Sequence, residues 1–135
     1  MNSLGRWAVI DIETTGIDPN YDAIIDLGFL QFEGTKLIKS YSSLVRTDIK
    51  LSQFIQKLTG IKQKDVEKAP HWSKVEPELL ELEGHQLLAH NASFEEMFLD
   101  KYFTALGEER EKEFYQDSLY FLPLIFPEKS TLNLE

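Results

Sequence analysis

RWAVIDIETTG, residues 6–16, joins a short, β-branched, apolar run to two acidic residues and a turn that ends in glycine. The run from Arg6 to Asp11 predicts a strand that is buried on both faces. Side chains two residues apart on a strand point to the same face, so Asp11 and Glu13 should present paired carboxylates about 7 Å apart at their backbones. Such a pair suits Mg²⁺ or Mn²⁺, because these hard cations prefer oxygen ligands.

The alternative is that both acids simply face water at the end of a strand. An Asp-x-Glu triplet alone occurs by chance often enough to be a weak signal. The six residues DIETTG follow an apolar strand and lead into a glycine turn, which makes them far more specific than the triplet. We therefore favour the metal-binding interpretation.

Composition indicates one acidic globular domain. The 135 residues are 42% hydrophobic, enough for one core, and the absence of cysteine excludes disulfides, thiolate zinc sites and cysteine nucleophiles. The net charge of -9 provides no basic surplus for a long duplex footprint, although a carboxylate cluster that touches only the last nucleotides of a strand remains compatible. No apolar run approaches the roughly 18 residues that cross a bilayer, and the start MNSLGRWAVI is unlike a signal peptide. We expect a soluble, cytoplasmic protein without a membrane partner.

Hydrophobic periodicity predicts three strands followed by alternating helices and strands. Strands at 6–11, 23–32 and 36–46 have short connections, which favours an antiparallel meander. The period then changes: it predicts a helix at 52–58 that ends at Gly60, a helix at 73–82 with Pro77 in its first turn, a strand at 86–90 and a helix at 93–106. A strand at 114–117 and a helix from 118 to about 126 complete the pattern. We expect an α/β architecture with a mixed sheet.

A second acidic segment, HNASFEE at residues 90–96, lies where the fourth predicted strand meets the long helix. Ser93 and Glu96 form a capping-box pattern, in which Ser93 caps the helix and Glu96 reaches back to the Ser93 amide. Glu95 would then be the freer carboxylate. Taken alone, the segment is better explained as a well-capped helix start than as a functional site.

Four segments together, DIETTG, IIDLG, LTGI and HNASFE, resemble the DEDD (DnaQ-like) 3′–5′ exonuclease superfamily. This superfamily includes the proofreading subunit of bacterial replicative polymerases and exonuclease domains fused to DinG-type helicases. The similarity runs along nearly the whole chain, and the spacing between the motifs is as specific as the residues within them. It implies a ribonuclease H-like fold. It also implies the hydrolysis of terminal phosphodiesters of nucleic acid to nucleoside monophosphates, with DNA as the expected substrate. As partners it implies a single-stranded DNA 3′ end and a polymerase or helicase subunit or domain.

The resemblance also implies roles for particular residues. The catalytic and metal-binding residues would be Asp11, Glu13 and Glu95, with Asp11 bridging two Mg²⁺ or Mn²⁺ ions. Ile17 would wedge against the final bases. The residues implied to contact the terminal nucleotide are Thr14, Thr15, Gly16, Ile17, Asn91 and Phe94. From the residues alone, Asn91 is equally an ordinary polar residue at a strand–helix junction, and Phe94 an ordinary core residue.

The chain departs from the family pattern at two places. Glu95 stands where the second motif has Asp, and its extra methylene would shift or weaken the second metal site. The third motif, with a general-base His or Tyr and a fourth metal-binding Asp, lies beyond a Leu-rich helix in the family, whereas this sequence stops at Leu132-Asn133-Leu134-Glu135 before any such residues. We therefore predict that residues 1–135 are an incomplete, C-terminally truncated exonuclease domain that lacks this motif and has little or no nuclease activity and weak metal binding by itself.

Two other interpretations remain. The chain would be a degenerate exonuclease-like module if it binds a partner or a strand end without cutting, which the acidic balance and Glu95 favour. It would be an unrelated acidic metal-binding domain only if the order of the motifs were coincidence.

Overall fold

A five-stranded mixed sheet lies at the centre of the protein. The computed structural model describes the backbone of residues 5–90, 92–105 and 115–117, and the side chains of residues 5–90 and 93–100. The strands are β1 (Arg6–Thr14), β2 (Ile24–Glu33), β3 (Lys36–Leu44), β4 (Gln86–Ala89) and β5 (Tyr115–Asp117), in the sheet order β3-β2-β1-β4-β5. The first three are antiparallel, whereas β4 is parallel to β1 and β5 is parallel to β4. The predicted meander and mixed sheet are confirmed.

Four helices accompany the sheet in the described part of the chain: α1 (Gln53–Thr59), α2 (Gln63–Glu67), α3 (Trp72–Leu80) and α4 (Ala92–Ala105). Ser52 caps α1 by accepting a hydrogen bond from the Ile55 amide, and Gly60 ends it in the left-handed conformation, as predicted. The sequence did not predict α2, whose five residues bury a single side chain, that of Val66. None of the described helices has the length and apolar character that a bilayer crossing needs.

The position of Pro77 in α3 differs from the prediction. His71 caps this helix through its side chain, which accepts from the Ser73 amide, so that the helix starts at Trp72 and Pro77 lies in its second turn. The Pro77 side chain is exposed, so the helix turn that its ring interrupts faces solvent. The helix predicted from residue 118 lies outside the described residues.

Strand β1 is buried on one face, not on both as predicted. Ala8, Ile10, Ile12 and Thr14 are buried, whereas the alternate residues are half-buried or exposed. The buried face joins side chains of the neighbouring strands and of α3 and α4 in the main core. Its members beyond β1 include Leu27, Phe29, Leu87, Val75, Leu79, Phe98 and Leu99. Trp7 and Val9 extend the apolar run onto the other face, which is why the sequence alone suggests two buried faces.

A second, smaller cluster attaches α1 and α2 to the sheet. Its buried members are Ile25, Leu51, Ile61 and Val66, and Leu44 and Ile55 pack against them. Leu44 of β3 lies directly opposite Asp26 of β2, so the two side chains share one face of the sheet. Asp26 in turn lies opposite Glu13. The small helices therefore border the face that carries the acidic residues of β1.

Candidate active site

Asp11 and Glu13 lie on the same face of β1 near its carboxyl end, as the alternation predicts. Asp11 is exposed and Glu13 is half-buried. Partial desolvation raises the pKa of Asp11, while a hydrogen bond from the Ile12 amide and the charge of His90 act in the opposite direction. Burial also raises the pKa of Glu13, and the negative charges of Asp11 and Asp26 raise it further. A bound cation would relieve this repulsion.

Asp26 is a third carboxylate on this face, and no role was predicted for it. It is half-buried on β2, directly opposite Glu13. The pKa of Asp26 is raised mainly by burial and further by the charge of Asp11. A hydrogen bond from the Leu27 amide acts in the opposite direction. The alternation of β2 could have predicted this position: Leu27 and Phe29 face the core, so Asp26 must face the opposite side of the sheet, the side of Asp11 and Glu13.

His90 is a second residue near the carboxylates that the sequence did not assign to the site. The parallel register pairs Val9 of β1 with Leu88 of β4, so that His90, two residues after Leu88, comes beside Asp11. The effect of its charge on the pKa of Asp11 shows the same proximity. Because β1 and β4 are far apart in the sequence, this neighbourhood depends on a register that the residues alone do not reveal.

The donor chemistry of this face fits a hard divalent cation. Carboxylate oxygens are the ligands that such ions prefer. The carboxylates of Asp11, Glu13 and Asp26 repel one another, and a bound positive charge would reduce that repulsion. Among the residues that the structure describes, no three His, Asp or Glu side chains are arranged closely enough to hold a single metal ion. The arrangement therefore brings together two acids of β1, Asp11 and Glu13, with Asp26 of β2 opposite Glu13.

The loop from Thr15 to Ala23 follows β1 and is held together by the carboxylate of Asp22. This group accepts hydrogen bonds from the Thr15 hydroxyl at 2.8 Å and from the Asp18 amide at 3.0 Å. The Thr15 hydroxyl also accepts from the Ala23 amide, and the Thr15 amide donates to the Ala23 carbonyl. The base of the loop is thus closed on both sides next to the carboxylates.

Gly16 packs tightly against Asp22. A Cβ atom at position 16 would lie 2.4 Å from the Asp22 Oδ2 and 2.6 Å from its Cγ, which is far closer than carbon atoms tolerate. Glycine is therefore required at this position for the loop to close on Asp22. Its carbonyl accepts a hydrogen bond from the hydroxyl of Thr14, which is buried.

Ile17 and Tyr21 are the exposed apolar side chains of this loop. Ile17 is 83% exposed and Tyr21 is exposed to a similar degree. An apolar side chain on a hydrogen-bonded loop is available to contact a ligand beside Asp11 and Glu13. Of the predicted contact residues, Thr14, Thr15, Gly16 and Ile17 are thus together at the end of β1.

The second predicted segment is arranged differently from the expectation. Because α4 begins at Ala92, Ser93 lies inside the helix, and the predicted capping box is wrong. Glu95, predicted to be the freer acid, is 3% exposed, whereas Glu96 is half-buried. Phe94 is half-buried with its ring 5.0 Å from that of Phe98, and Asn91 lies outside the described residues. The described side chains do not combine Glu95 with Asp11 and Glu13 in one metal cluster.

Comparison with known families decides the relationship of the chain. The exonuclease family model RNase_T matches residues 8–134. This chain belongs to that exonuclease family. The predicted resemblance to DEDD exonucleases is confirmed.

Its curated relatives are much longer than the chain. It is 31% identical over 132 residues to the 3′–5′ exonuclease DinG of Staphylococcus epidermidis, covering 97% of this chain and 15% of that protein. It is 38% identical over 104 residues to the PolC-type DNA polymerase III of Caldanaerobacter subterraneus, covering 76% of this chain and 7% of that protein. The exonuclease chain thus spans a small fraction of the proteins that it matches.

Solved exonuclease structures share the fold. Escherichia coli exonuclease I in complex with a dT13 oligonucleotide superposes with a TM-score of 0.74 at 13% identity, covering 97% of this chain and 32% of that one. Exonuclease X in complex with 5′ overhanging duplex DNA superposes with a TM-score of 0.63 at 21% identity, covering 90% and 64%. The predicted ribonuclease H-like exonuclease fold is confirmed.

Proposed function

We propose that this chain belongs to a divalent-metal-dependent 3′–5′ exonuclease domain that, in the protein as its gene encodes it, hydrolyses the last phosphodiester of a DNA strand and releases a nucleoside monophosphate. The observation that carries the proposal is the pairing of Asp11 and Glu13 on one face of β1, beside a loop closed by Asp22. Membership of the exonuclease family supports the reaction class.

Asp11 and Glu13 would hold the metal. Two bound Mg²⁺ or Mn²⁺ ions would supply activation of a water molecule and stabilisation of the leaving 3′-oxygen. Asp11 is the more exposed of the two acids, which leaves its oxygens open toward an incoming phosphate. Glu95 would steady the second ion through water from its buried position, with a side chain one methylene longer than the family's Asp.

The closed loop would position the terminal nucleotide. Thr15 and Gly16 would present their backbone to the 3′-hydroxyl, and Ile17 would press against the final base. The hydrogen bonds of Asp22 restrict the loop before the strand arrives, so less conformational freedom is lost on binding. Phe94 would complete the pocket from α4, and the resemblance to the family assigns Asn91 to the same pocket.

The proposed partner is the single-stranded 3′ end of DNA, with the domain working in the cytoplasm beside a polymerase or a helicase. The PolC-type DNA polymerase III relative supports a polymerase context, and the solved exonuclease X and exonuclease I structures are complexes with 5′ overhanging duplex DNA and with a dT13 oligonucleotide. A matched RNA oligonucleotide would decide whether the 2′-hydroxyl is tolerated.

Trimming of a 5′-labelled single-stranded DNA tests the function in the protein as its gene encodes it. We expect a ladder that shortens from the 3′ end with Mg²⁺ or Mn²⁺ and stops with EDTA. Asp11→Ala should abolish it, whereas Glu33→Gln, an exposed acid at the opposite end of β2, should not. Retained trimming by Asp11→Ala would refute the proposed site. Binding of the strand end without trimming would instead favour the degenerate module.

A further inference from the structure

Helix α1 carries an exposed apolar stripe. Phe54 and Leu58, one turn apart, are 71% and 68% exposed. Lys57 lies three residues after Phe54 and therefore on the same side of the helix, while Ile55 packs inward against the second cluster. Phe54 and Leu58 therefore form a small exposed apolar patch on the outer side of the helix.

The chain around this stripe is basic, in contrast to the rest of the protein. Residues 50–68 contain five lysines and two acids, a net charge of +3, whereas the remaining residues contain nine basic and 21 acidic residues, a net charge of -12. All five lysines are exposed, and none of them forms an ion pair within the part of the chain that the structure describes. A polyanion is the ligand that this local charge favours.

The stripe lies roughly 20 Å from the carboxylates, at the border of the same face of the sheet. On one face of the sheet Glu13, Asp26 and Leu44 follow one another across β1, β2 and β3. Strands are spaced about 4.8 Å apart, so Leu44 lies roughly 10 Å from Glu13. Leu44 and Ile55 pack against the same buried cluster, which places the inner side of α1 there. The helix adds about 10 Å more, so its outer side is roughly 20 Å from the acids.

We propose that the exposed side of α1 binds single-stranded nucleic acid, namely the part of the substrate strand several nucleotides 5′ of the bond that is cut. This inference rests on the proposed exonuclease function. A span of roughly 20 Å corresponds to about six phosphates of a stacked single strand at a spacing of 3.4 Å. Phe54 provides a face on which a base stacks, and Lys57 provides charge for a phosphate. The substrate strand thus reaches the basic residues 50–68 and avoids most of the acidic surface of the protein.

Binding of two oligothymidylates of different length tests the proposal. A tetranucleotide occupies only the terminal pocket, whereas a dodecanucleotide also reaches α1. Fluorescence anisotropy in EDTA, where hydrolysis is stopped, would be measured for the double variant Phe54→Ala/Lys57→Gln. The matched control is Lys36→Gln/Leu37→Ala, an exposed lysine and leucine on β3 at the far end of the sheet. Both pairs are exposed, so folding should be retained, which the thermal midpoint checks.

We expect the Phe54/Lys57 variant to bind the dodecanucleotide about tenfold more weakly and the tetranucleotide as the wild type does, with the control unchanged for both. The slope of log affinity against log salt should fall by about 0.7 for the lost lysine. Lys57→Glu alone should weaken binding in the same direction. No loss for the long strand, or an equal loss for both strands, would overturn the proposal.

Two further outcomes separate this proposal from its rivals. Self-association of the wild type that Phe54→Ala abolishes would assign the stripe to a protein interface and overturn the nucleic-acid proposal. Trimming of the tetranucleotide measures the exonuclease function alone. A protein that trims it without any length-dependent effect of Phe54 refutes the α1 surface, whereas length-dependent binding without trimming refutes the exonuclease function.

Discussion

Asp26 lies directly opposite Glu13 in the antiparallel pair of β1 and β2. Opposite residues on one face have their Cβ atoms about 4.5–5.5 Å apart, so the two carboxylates are close neighbours. The charge of Asp26 raises the pKa of Glu13, and Asp11 raises that of Asp26. Asp26 is therefore electrostatically coupled to Asp11 and Glu13, although the DIETTG segment contains only these two acids.

The first prediction concerns this third acid. Asp26→Asn removes one negative charge beside the proposed ligands, and a partly exposed charge contributes up to about 1 kcal/mol, so the metal concentration for half-maximal trimming should rise by up to about fivefold. The rate at saturating metal should change little. Glu33→Gln removes a charge from the same strand at its other end and serves as the control. An unchanged metal titration would place Asp26 outside the site, and a complete loss at saturating Mn²⁺ would make it a direct ligand.

The second prediction concerns the loop that Asp22 closes. Gly16→Ala places a methyl group against the Asp22 carboxylate and should displace the loop, lowering kcat/KM for trimming at least tenfold with little effect on the unfolding midpoint. Combining it with Asp22→Ala makes room for the methyl group but removes two hydrogen bonds, so only part of the activity should return. Asn20→Ala, at an exposed side chain of the same loop, is the control. Full activity of Gly16→Ala would contradict the proposed role of the loop.

The strands show how far the sequence alone could predict the fold. Alternation and turn residues located β1 to β4 within a few residues, because each buries a regular set of side chains. Helix α2 escaped prediction because five residues with one buried valine contain no readable period. The apolar Trp7 and Val9 suggested a second buried face of β1 that the described structure does not have.

The site was predictable where it depends on neighbours in sequence and not where it depends on register. Asp11 and Glu13 share a face by alternation alone, whereas His90 comes beside Asp11 only through the parallel pairing of β1 with β4. The assignment of Glu95 and Glu96 was sensitive to the start of α4, since one residue rotates a helix by about 100°. With α4 starting at Ala92, Glu95 is the buried acid and Glu96 is the more accessible one, the reverse of the prediction.

The third prediction is that the metal-free protein is stabilised by Asp26→Asn near neutral pH. The pKa values of Asp11, Glu13 and Asp26 are raised, so the folded state binds more protons than the unfolded state, and the free energy of unfolding contributed by these groups rises as pH falls through the raised values. Above the raised pKa values the three carboxylates are charged and repel one another, so removing one charge should raise the urea midpoint in EDTA. The advantage should shrink as the pH falls through the raised pKa values.

Urea unfolding with and without Mn²⁺ checks this prediction. Saturating Mn²⁺ at neutral pH should stabilise the wild type more than Asp26→Asn, because a cation that binds the folded state lowers its free energy by an amount that grows with the logarithm of its affinity. A variant that is less stable than the wild type in EDTA, or a difference that grows in acid, would show that the carboxylates do not repel in the folded protein.

The fourth prediction concerns Glu95, which the resemblance to the family matches with the Asp of the second motif. Its side chain is 3% exposed, so Glu95→Asp removes one buried methylene and should lower the free energy of unfolding by about 1 kcal/mol. If Glu95 steadies the second ion as proposed, the shorter acid should at the same time lower the metal concentration for half-maximal trimming several-fold. Glu96→Asp, one position later on a half-buried residue, should change neither quantity comparably. Loss of stability without any change in the metal titration would assign Glu95 to packing alone and leave the metal to Asp11 and Glu13.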